Sequence, residues 1–502
     1  MKRFLVLLGI FLLLLTFSSL GLSAPKDTVV IAQGVDATTL DPHMQQETPT
    51  YNVCENIYDA LVSRNPKEEI VPNLAVSWKV LNDTTWQFKL RKGVKFHNGE
   101  EFDANAVKFS IERVINPKNH SPQISDLSAI DHVDIVDKYT VNIVTKKPYP
   151  VLLARLTAHM IIPPKYTQEK GADYLALHPV GTGPYKFKKW YKDEKIELVA
   201  NEDYHLGAPK VKKLVFRPIP EASSRIAELL TGGVDIITNV PPDKLKEIEN
   251  SKRARVSAAP SARVIFIVLD MTRESPLKSK KVRQALNYAV DVDSIIKYVL
   301  NGNGYRVATP LPSSFFGYDP SIKPYPYDPK KAKELLKEAG YPHGFKMTLL
   351  SPSGRYLMDK DVAQAIAGQL NNVGLKVNVK VLEWGVYVKQ ILSRKTESPM
   401  FLLGWGNTTF DADGTLFPMF RSGERLSFYE NHEFDKYVDL ARQTLDPEKR
   451  KEYYHKALRI LYDDPGWIFL YQQKDLYGAS KRIKWEARPD ERIHGIDIDW
   501  NR

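Results

Sequence analysis

Pro179-Val180-Gly181-Thr182-Gly183-Pro184-Tyr185 lies about a third of the way along a 502-residue chain and is the stretch from which the fold can be read outward. Gly181 and Gly183 permit backbone angles closed to other residues, Pro184 fixes one dihedral, and the strand-like Tyr185-Lys186-Phe187 follows. By itself the run describes a turn entering a strand and no chemistry.

Working outward, short strand-like runs alternate with helices, the pattern of a mixed α/β protein. Thr28–Ala32, Val264–Leu269 and Lys376–Val381 are rich in β-branched residues. Two helices stand out. In the first, Asp328 fits an N-cap, Pro329 suits the first turn, Ala332, Leu335, Leu336 and Ala339 share a face, and Gly340 ends it. In the second, from Lys281 to Asn301, Val282, Leu286, Ala289, Ile295 and Val299 form a buried stripe. A chain of this length exceeds one ordinary core, so two or three domains are expected. No repeat, low-complexity stretch or composition shift marks the boundaries.

Met1-Lys2-Arg3, the apolar run Phe4 to Leu15 and the small residues Ser18 to Ala24 have the order of a cleavable signal peptide, with cleavage expected after Ser23. The only cysteine, Cys54, is far from that site, so no lipid anchor is expected and no intrachain disulfide can form. The formal charge is +11, or +9 once Lys2 and Arg3 leave with the signal. The lysines are dispersed along amphipathic segments without a long basic run, which fits solvated faces and gives no reason to expect nucleic acid.

Beyond the opening turn come Trp190, Asn201–Gly207 and Arg225–Ile236, and before it Leu74–Trp78, Phe88–Gly99 and Ala106–Ser110. Lys281–Asp291 and Ala332–Tyr341 follow. In that order and spacing the chain resembles the family 5 extracellular solute-binding proteins of ABC transporters, the peptide and nickel receptors. The resemblance implies a type II periplasmic-binding-protein clamshell of three lobes. A discontinuous first lobe would hold residues 24–58, 180–269 and 475–502, an inserted second lobe 59–179, and a third 270–474. It also implies a monomeric receptor in the periplasm that hands a small-molecule or peptide-like solute, of the dipeptide, oligopeptide or glutathione type, to a membrane permease, without cofactor or catalysis.

Candidate ligand residues cluster after the apolar run Met400–Leu403, where Trp405, Asn407, Thr408, Asp411 and Asp413 emerge at a strand end. The indole offers a flat wall, Asn407 and Thr408 can donate and accept, and either aspartate can pair with an ammonium. Equally, Asp413 or Thr415 can cap the next helix. In peptide receptors of the family, the position three after the tryptophan is an aspartate that binds the peptide ammonium; here it is Thr408. Asp411 or Asp413 then takes that role, or the ligand is not a free-amine peptide. Arg355, before the helix Asp361–Leu370, can present a fork to a carboxylate, a role that dipeptide receptors give an arginine in this stretch, or can pair with Asp359 or Asp361. Glu47 and Thr48 fall in the segment whose backbone pairs with extended peptides in the family.

There is no Gly-x-Ser-x-Gly elbow and no phosphate loop, and the eleven histidines lack paired-ligand spacing, so no metal is expected. Receptors for an oligosaccharide or a metal chelate remain alternatives. So do a secreted hydrolase using Asp411 and Asp413 and a chaperone-like scaffold.

Overall fold

Two long antiparallel strands, Ala254–Leu269 and Trp467–Ser480, run through the centre of the protein and join its two halves. The structure is a computed structural model, described here for residues 27–501; the expected signal peptide lies outside these residues. Around the long pair, an eleven-stranded mixed sheet has Thr28–Gln33, Lys213–Pro218, Lys195–Ala200 and Tyr185–Tyr191 on one flank. Met400–Gly406, Lys346–Pro352 and Lys376–Leu382 form the other. Ala254–Pro260 pairs with Lys474–Ser480 in the first half, and Val264–Val268 with Trp467–Gln472 in the second, with the register slipping between Pro260 and Val264. An irregularity there breaks the ladder at the point where the chain passes from one half to the other.

Packing follows the same division. One core lies wholly between Leu61 and Ile161, around a separate four-stranded antiparallel sheet. A second draws on Val29–Tyr58, Met160–Ile236 and Tyr477–Ile498, and the largest is built mainly from residues 254–476. Among the described residues no helix is long and apolar enough to cross a membrane.

The first helix read from sequence is Pro329–Glu338, with the Asp328 carboxylate accepting from the Lys331 N–H at 2.9 Å and Gly340 at φ 89°. The second is broken. It runs Lys280–Ala289, stops at an extended Val290, and restarts at Val292 as a short turn followed by a π-turn. Asp291 explains the break, since its carboxylate caps the Ser294 N–H at 3.0 Å and starts a new helical turn. Cys54 is fully buried in the helix Thr48–Ile57.

The opening turn is also explained differently from the expectation. Neither Gly181 nor Gly183 has positive φ. Each is glycine because the backbone of Ile57 passes against it: a Cβ on Gly181 would stand 2.0 Å from the Ile57 carbonyl oxygen, and one on Gly183 2.6 Å from its carbonyl carbon. The Gly183 N–H donates to that same oxygen at 2.8 Å, while Thr182 donates its hydroxyl to Asp59 at 2.9 Å. Gly181→Ala should therefore destabilise the fold by about 1–3 kcal/mol, the usual cost of forcing extra volume into packed structure. Denaturant midpoints of the variant and the wild type measure it, and an unchanged midpoint would show that the Ile57 backbone can withdraw.

Candidate functional site

Between the flanks of the sheet and the 59–179 region lies a cleft of about 140 Å³. Its floor is the end of the strand Met400–Gly406, where Gly404, Trp405 and Gly406 succeed the buried Met400–Leu403. Trp405 is half-buried and its indole N–H donates to the Gly414 carbonyl at 2.8 Å, fixing the ring as a wall. Arg263 from the first long strand lies beside it. Its guanidinium donates to both Glu491 carboxylate oxygens, at 2.6 and 2.7 Å, to the Gly404 carbonyl at 2.6 Å and to the Thr48 hydroxyl at 2.8 Å. Burial opposes ionisation of Glu491, but Arg263 outweighs it and holds the carboxyl down at about 2.

Arg355 is 7% exposed and lines the cleft. Its guanidinium is stacked between aromatic faces, 4.8 Å from the Tyr356 ring centroid and 5.2 Å from that of Trp384. Neither acid expected as a partner pairs with it. Asp359 instead accepts from the backbone N–H groups of Gly354, Arg355, Tyr356 and Lys360, at 2.9 to 3.2 Å, and thereby shapes the turn that aims Arg355. Burial and the neighbouring Arg263 charge push the Arg355 guanidinium below its ordinary value.

The carboxylates lining the cleft are all engaged. Asp126 accepts from Arg155 at 2.6 Å and Gln46 at 2.8 Å, and Asp490 from Arg488 at 2.7 Å. Glu47 accepts from the hydroxyls of Thr38 and Thr50 and from the Trp384 indole N–H. Of the lining guanidiniums, Arg155, Arg263 and Arg492 have carboxylate partners. Among the described residues Arg355 makes neither a side-chain hydrogen bond nor an ion pair, and its Nε is buried without a partner. Arg355 is thus the lining guanidinium without a carboxylate partner, and Glu47 the lining carboxylate held only by neutral donors.

The structure brings six of the eight expected residues to the cleft wall: Glu47, Thr48, Arg355, Trp405, Asn407 and Thr408. Three of these are already occupied. Glu47 holds Trp384, Thr48 bridges Arg263 and Glu491, and Asn407 ties its own loop by donating to the Asp411 carbonyl and the Thr415 hydroxyl. Asp411 and Asp413 line no part of it. Arg450 holds Asp411 with two contacts of 3.0 Å. Asp413 is fully buried between Arg155 at 2.7 Å, Tyr149 at 2.9 Å and Arg442 at 3.4 Å. Burial opposes its ionisation, yet Arg442 and Arg155 hold its carboxyl below the ordinary range. Asp411 also accepts from the Asp413 N–H at 3.0 Å, at the start of the helix Asp413–Phe420, and Asp413, whose Oδ1 has no hydrogen-bond partner, is fully buried away from the cleft. Asp413 instead fastens residues 149 and 155 to residues 413 and 442.

Sequence reading missed Arg263, Glu491, Tyr356, Trp384 and Asp126. Arg263 and Glu491 stand more than two hundred positions apart, and no local pattern links them.

The middle-domain model of the bacterial extracellular solute-binding proteins, family 5, matches residues 69–427. The chain belongs to this family. Among its relatives, the glutathione-binding protein GsiB of Pectobacterium atrosepticum is 33% identical over 491 residues, covering 95% of this chain and 94% of the relative. Two solved family 5 structures are similar throughout. The Helicobacter pylori periplasmic binding protein DppA, in complex with peptide STSA, is 30% identical with a TM-score of 0.88, covering 95% of this chain and 98% of the other. Campylobacter jejuni NikZ, in complex with Ni(L-His), is 28% identical with a TM-score of 0.85, covering 94% and 99%. The type II binding-protein architecture read from sequence is thus the architecture of this family 5 chain.

The Arg263–Glu491 pair generates a stability prediction. A carboxyl near 2 when folded and about 4.3 when unfolded contributes stability that is present above pH ~4.3 and lost as pH falls toward 2. Glu491→Gln should cost about 3–5 kcal/mol at neutral pH, because it strands a buried guanidinium. Its deficit relative to the wild type should shrink across that acid window. Denaturant unfolding at a series of pH values measures both, and a pH-independent deficit would deny the shift.

Proposed function

We propose that the protein is a periplasmic receptor of an ABC importer that captures a peptide-like solute bearing a carboxylate and delivers it to the membrane permease. The observation that carries this reading is Arg355: a buried guanidinium, free of partners, stacked between Tyr356 and Trp384 and facing a cleft whose acids are all satisfied. An uncompensated buried charge is costly, and a ligand carboxylate supplies the missing partner. Trp405 forms an apolar wall for the ligand body, and the names of relatives that bind glutathione or the peptide STSA support a peptide-like class.

In this reading the chain acts as a monomer in three lobes with the boundaries given above, without catalysing a reaction. The long strands at 254–269 and 467–480 form the hinge, and Asp413 fastens the second and third lobes when the cleft is shut. Arg442 supports the same closure by also reaching the Tyr149 hydroxyl at 3.3 Å.

Two predictions separate ligand recognition from closure. Arg355→Ala should weaken binding of glutathione or of carboxylate-ended peptides by about 2–5 kcal/mol, while leaving their C-amidated forms unaffected. Trp405→Ala should weaken amidated and free forms alike, by about 1–3 kcal/mol. Calorimetric titration decides between them, and tight binding of a neutral oligosaccharide with no peptide binding would overturn the peptide reading.

Asp413→Asn should instead weaken every ligand by a similar factor, about tenfold or more, because removing one partner of a buried charge cluster leaves the others uncompensated. Small-angle scattering with and without ligand reads closure directly. A charge-selective loss in this variant would return Asp413 to the ligand site.

A further inference from the structure

We propose that Glu47 is the ammonium acceptor of the cleft, and that with Arg355 it selects a solute whose ammonium and carboxylate stand on one carbon, the free head group of an α-amino acid. The proposal rests on the carboxylate-binding reading of Arg355 and narrows the class of solute that reading admits.

Most charges lining the cleft have a partner of opposite sign: Asp126 pairs with Arg155, Asp490 with Arg488, Arg263 with Glu491 and Arg492 with Glu55. Arg355 and Glu47 are the exceptions among the described residues. Glu47 is 5% exposed and is the residue that precedes the helix Thr48–Ile57, yet its side chain does not cap that helix. It is turned instead onto neutral donors. The Thr38 and Thr50 hydroxyls fill Oε1, the latter at 2.6 Å, and the Trp384 indole N–H reaches Oε2. A carboxylate has about four lone-pair sites, so one at Oε2 stays open.

The two unpaired charges are held on one side chain. Arg355 lies over the Trp384 ring, 5.2 Å from its centroid, while Glu47 takes the N–H at the edge of the same ring. The guanidinium and the carboxylate form no ion pair with each other, and each is buried without a counter-charge, which is costly. A zwitterion relieves both at once: its carboxylate meets the free donors of Arg355 and its ammonium the open site on Glu47. Because both anchors touch one indole, the two groups they take must also lie close together. In an amino-acid head group they share a carbon, whereas in an α-linked peptide each residue carries the ammonium a further ~3.3–3.6 Å from the terminal carboxylate. Ammonium recognition therefore falls to the helix entry at Glu47, and not to the loop whose Asp411 and Asp413 are taken up by Arg450, Arg155 and Arg442.

The test compares γ-glutamylalanine with α-glutamylalanine by calorimetry. The isomers have the same atoms and net charge, but only the γ-isomer keeps ammonium and carboxylate on one carbon, and it should bind about tenfold or more tightly. Glutarylalanine, which is the γ-isomer without its amino group, should bind more weakly in the wild type, and Glu47→Gln should remove that difference. Trp384→Phe, which lacks the indole N–H but retains the Glu47 charge, should preserve it. Equal binding of the two isomers, still dependent on Arg355, would overturn the head-group inference alone. Loss of amine selectivity in Trp384→Phe as complete as in Glu47→Gln would make Glu47 a support of the indole and overturn its role as acceptor. Absence of binding by all three compounds, or binding indifferent to Arg355→Ala, would overturn the carboxylate reading and this inference with it.

Discussion

The buried pair of Arg263 and Glu491 holds the cleft together. Arg263 belongs to the first long strand, Glu491 to the C-terminal segment, and through Thr48 and the Gly404 carbonyl the same guanidinium reaches the start of the helix Thr48–Ile57 and the end of the strand Met400–Gly406. Four distant pieces of chain meet at one planar group. A guanidinium suits this task, because its five donors lie in a fixed plane and each partner must arrive in that plane. Taking the pair out of water is expensive, so its net contribution to stability is small against the cost of breaking it. Its importance is positional: it fixes the floor of the cleft and sets a paired guanidinium beside one without a carboxylate partner.

Arg355 depends on that arrangement. Two guanidiniums flank Tyr356, whose ring centroid lies 5.5 Å from Arg263 and 4.8 Å from Arg355. Glu491 pairs with the first, and among the described residues no carboxylate pairs with the second. The imbalance is tolerated because aromatic faces on either side offer the cation partial compensation without consuming its hydrogen-bond donors. The donors thus remain available for a ligand. Glu47 contributes at one remove, since its bond to the Trp384 indole N–H fixes one of those faces.

Asp413, expected as a candidate for a ligand ammonium, lies outside the cleft lining and among internal partners. A strand end followed by a loop with two aspartates is a reasonable place to seek a ligand-binding acid. The folded chain brings Arg155, Tyr149 and Arg442 together around this one carboxylate. Arg155 and Tyr149 share Oδ2 while Arg442 lies 3.4 Å from Oδ1, so the buried group holds regions together. Asp411 meets the same fate with Arg450, and the ammonium clamp that sequence reading sought in this loop has no acid left to form it.

By itself the sequence determined the alternation of strands and helices, the capped helix Pro329–Glu338 and the ordered segments that mark the family, because these depend on short-range periodicity and on residues that act within a few positions of one another. It also picked out Trp405 and Arg355, since a strand end and a helix entry are local events. What it did not determine was which charges are free. That is a sum over partners hundreds of residues away: Arg155 for Asp413, Arg450 for Asp411, Glu491 for Arg263, and none for Arg355. Even Gly181 and Gly183 follow this division. Their presence in a turn was legible, but their reason, the Ile57 backbone lying 2.0 and 2.6 Å from where the two side chains would begin, exists only once distant segments are packed together. Local sequence sets backbone preferences; long-range packing decides which polar groups are satisfied, and the ligand chemistry proposed for the cleft rests on a guanidinium that it leaves without a partner.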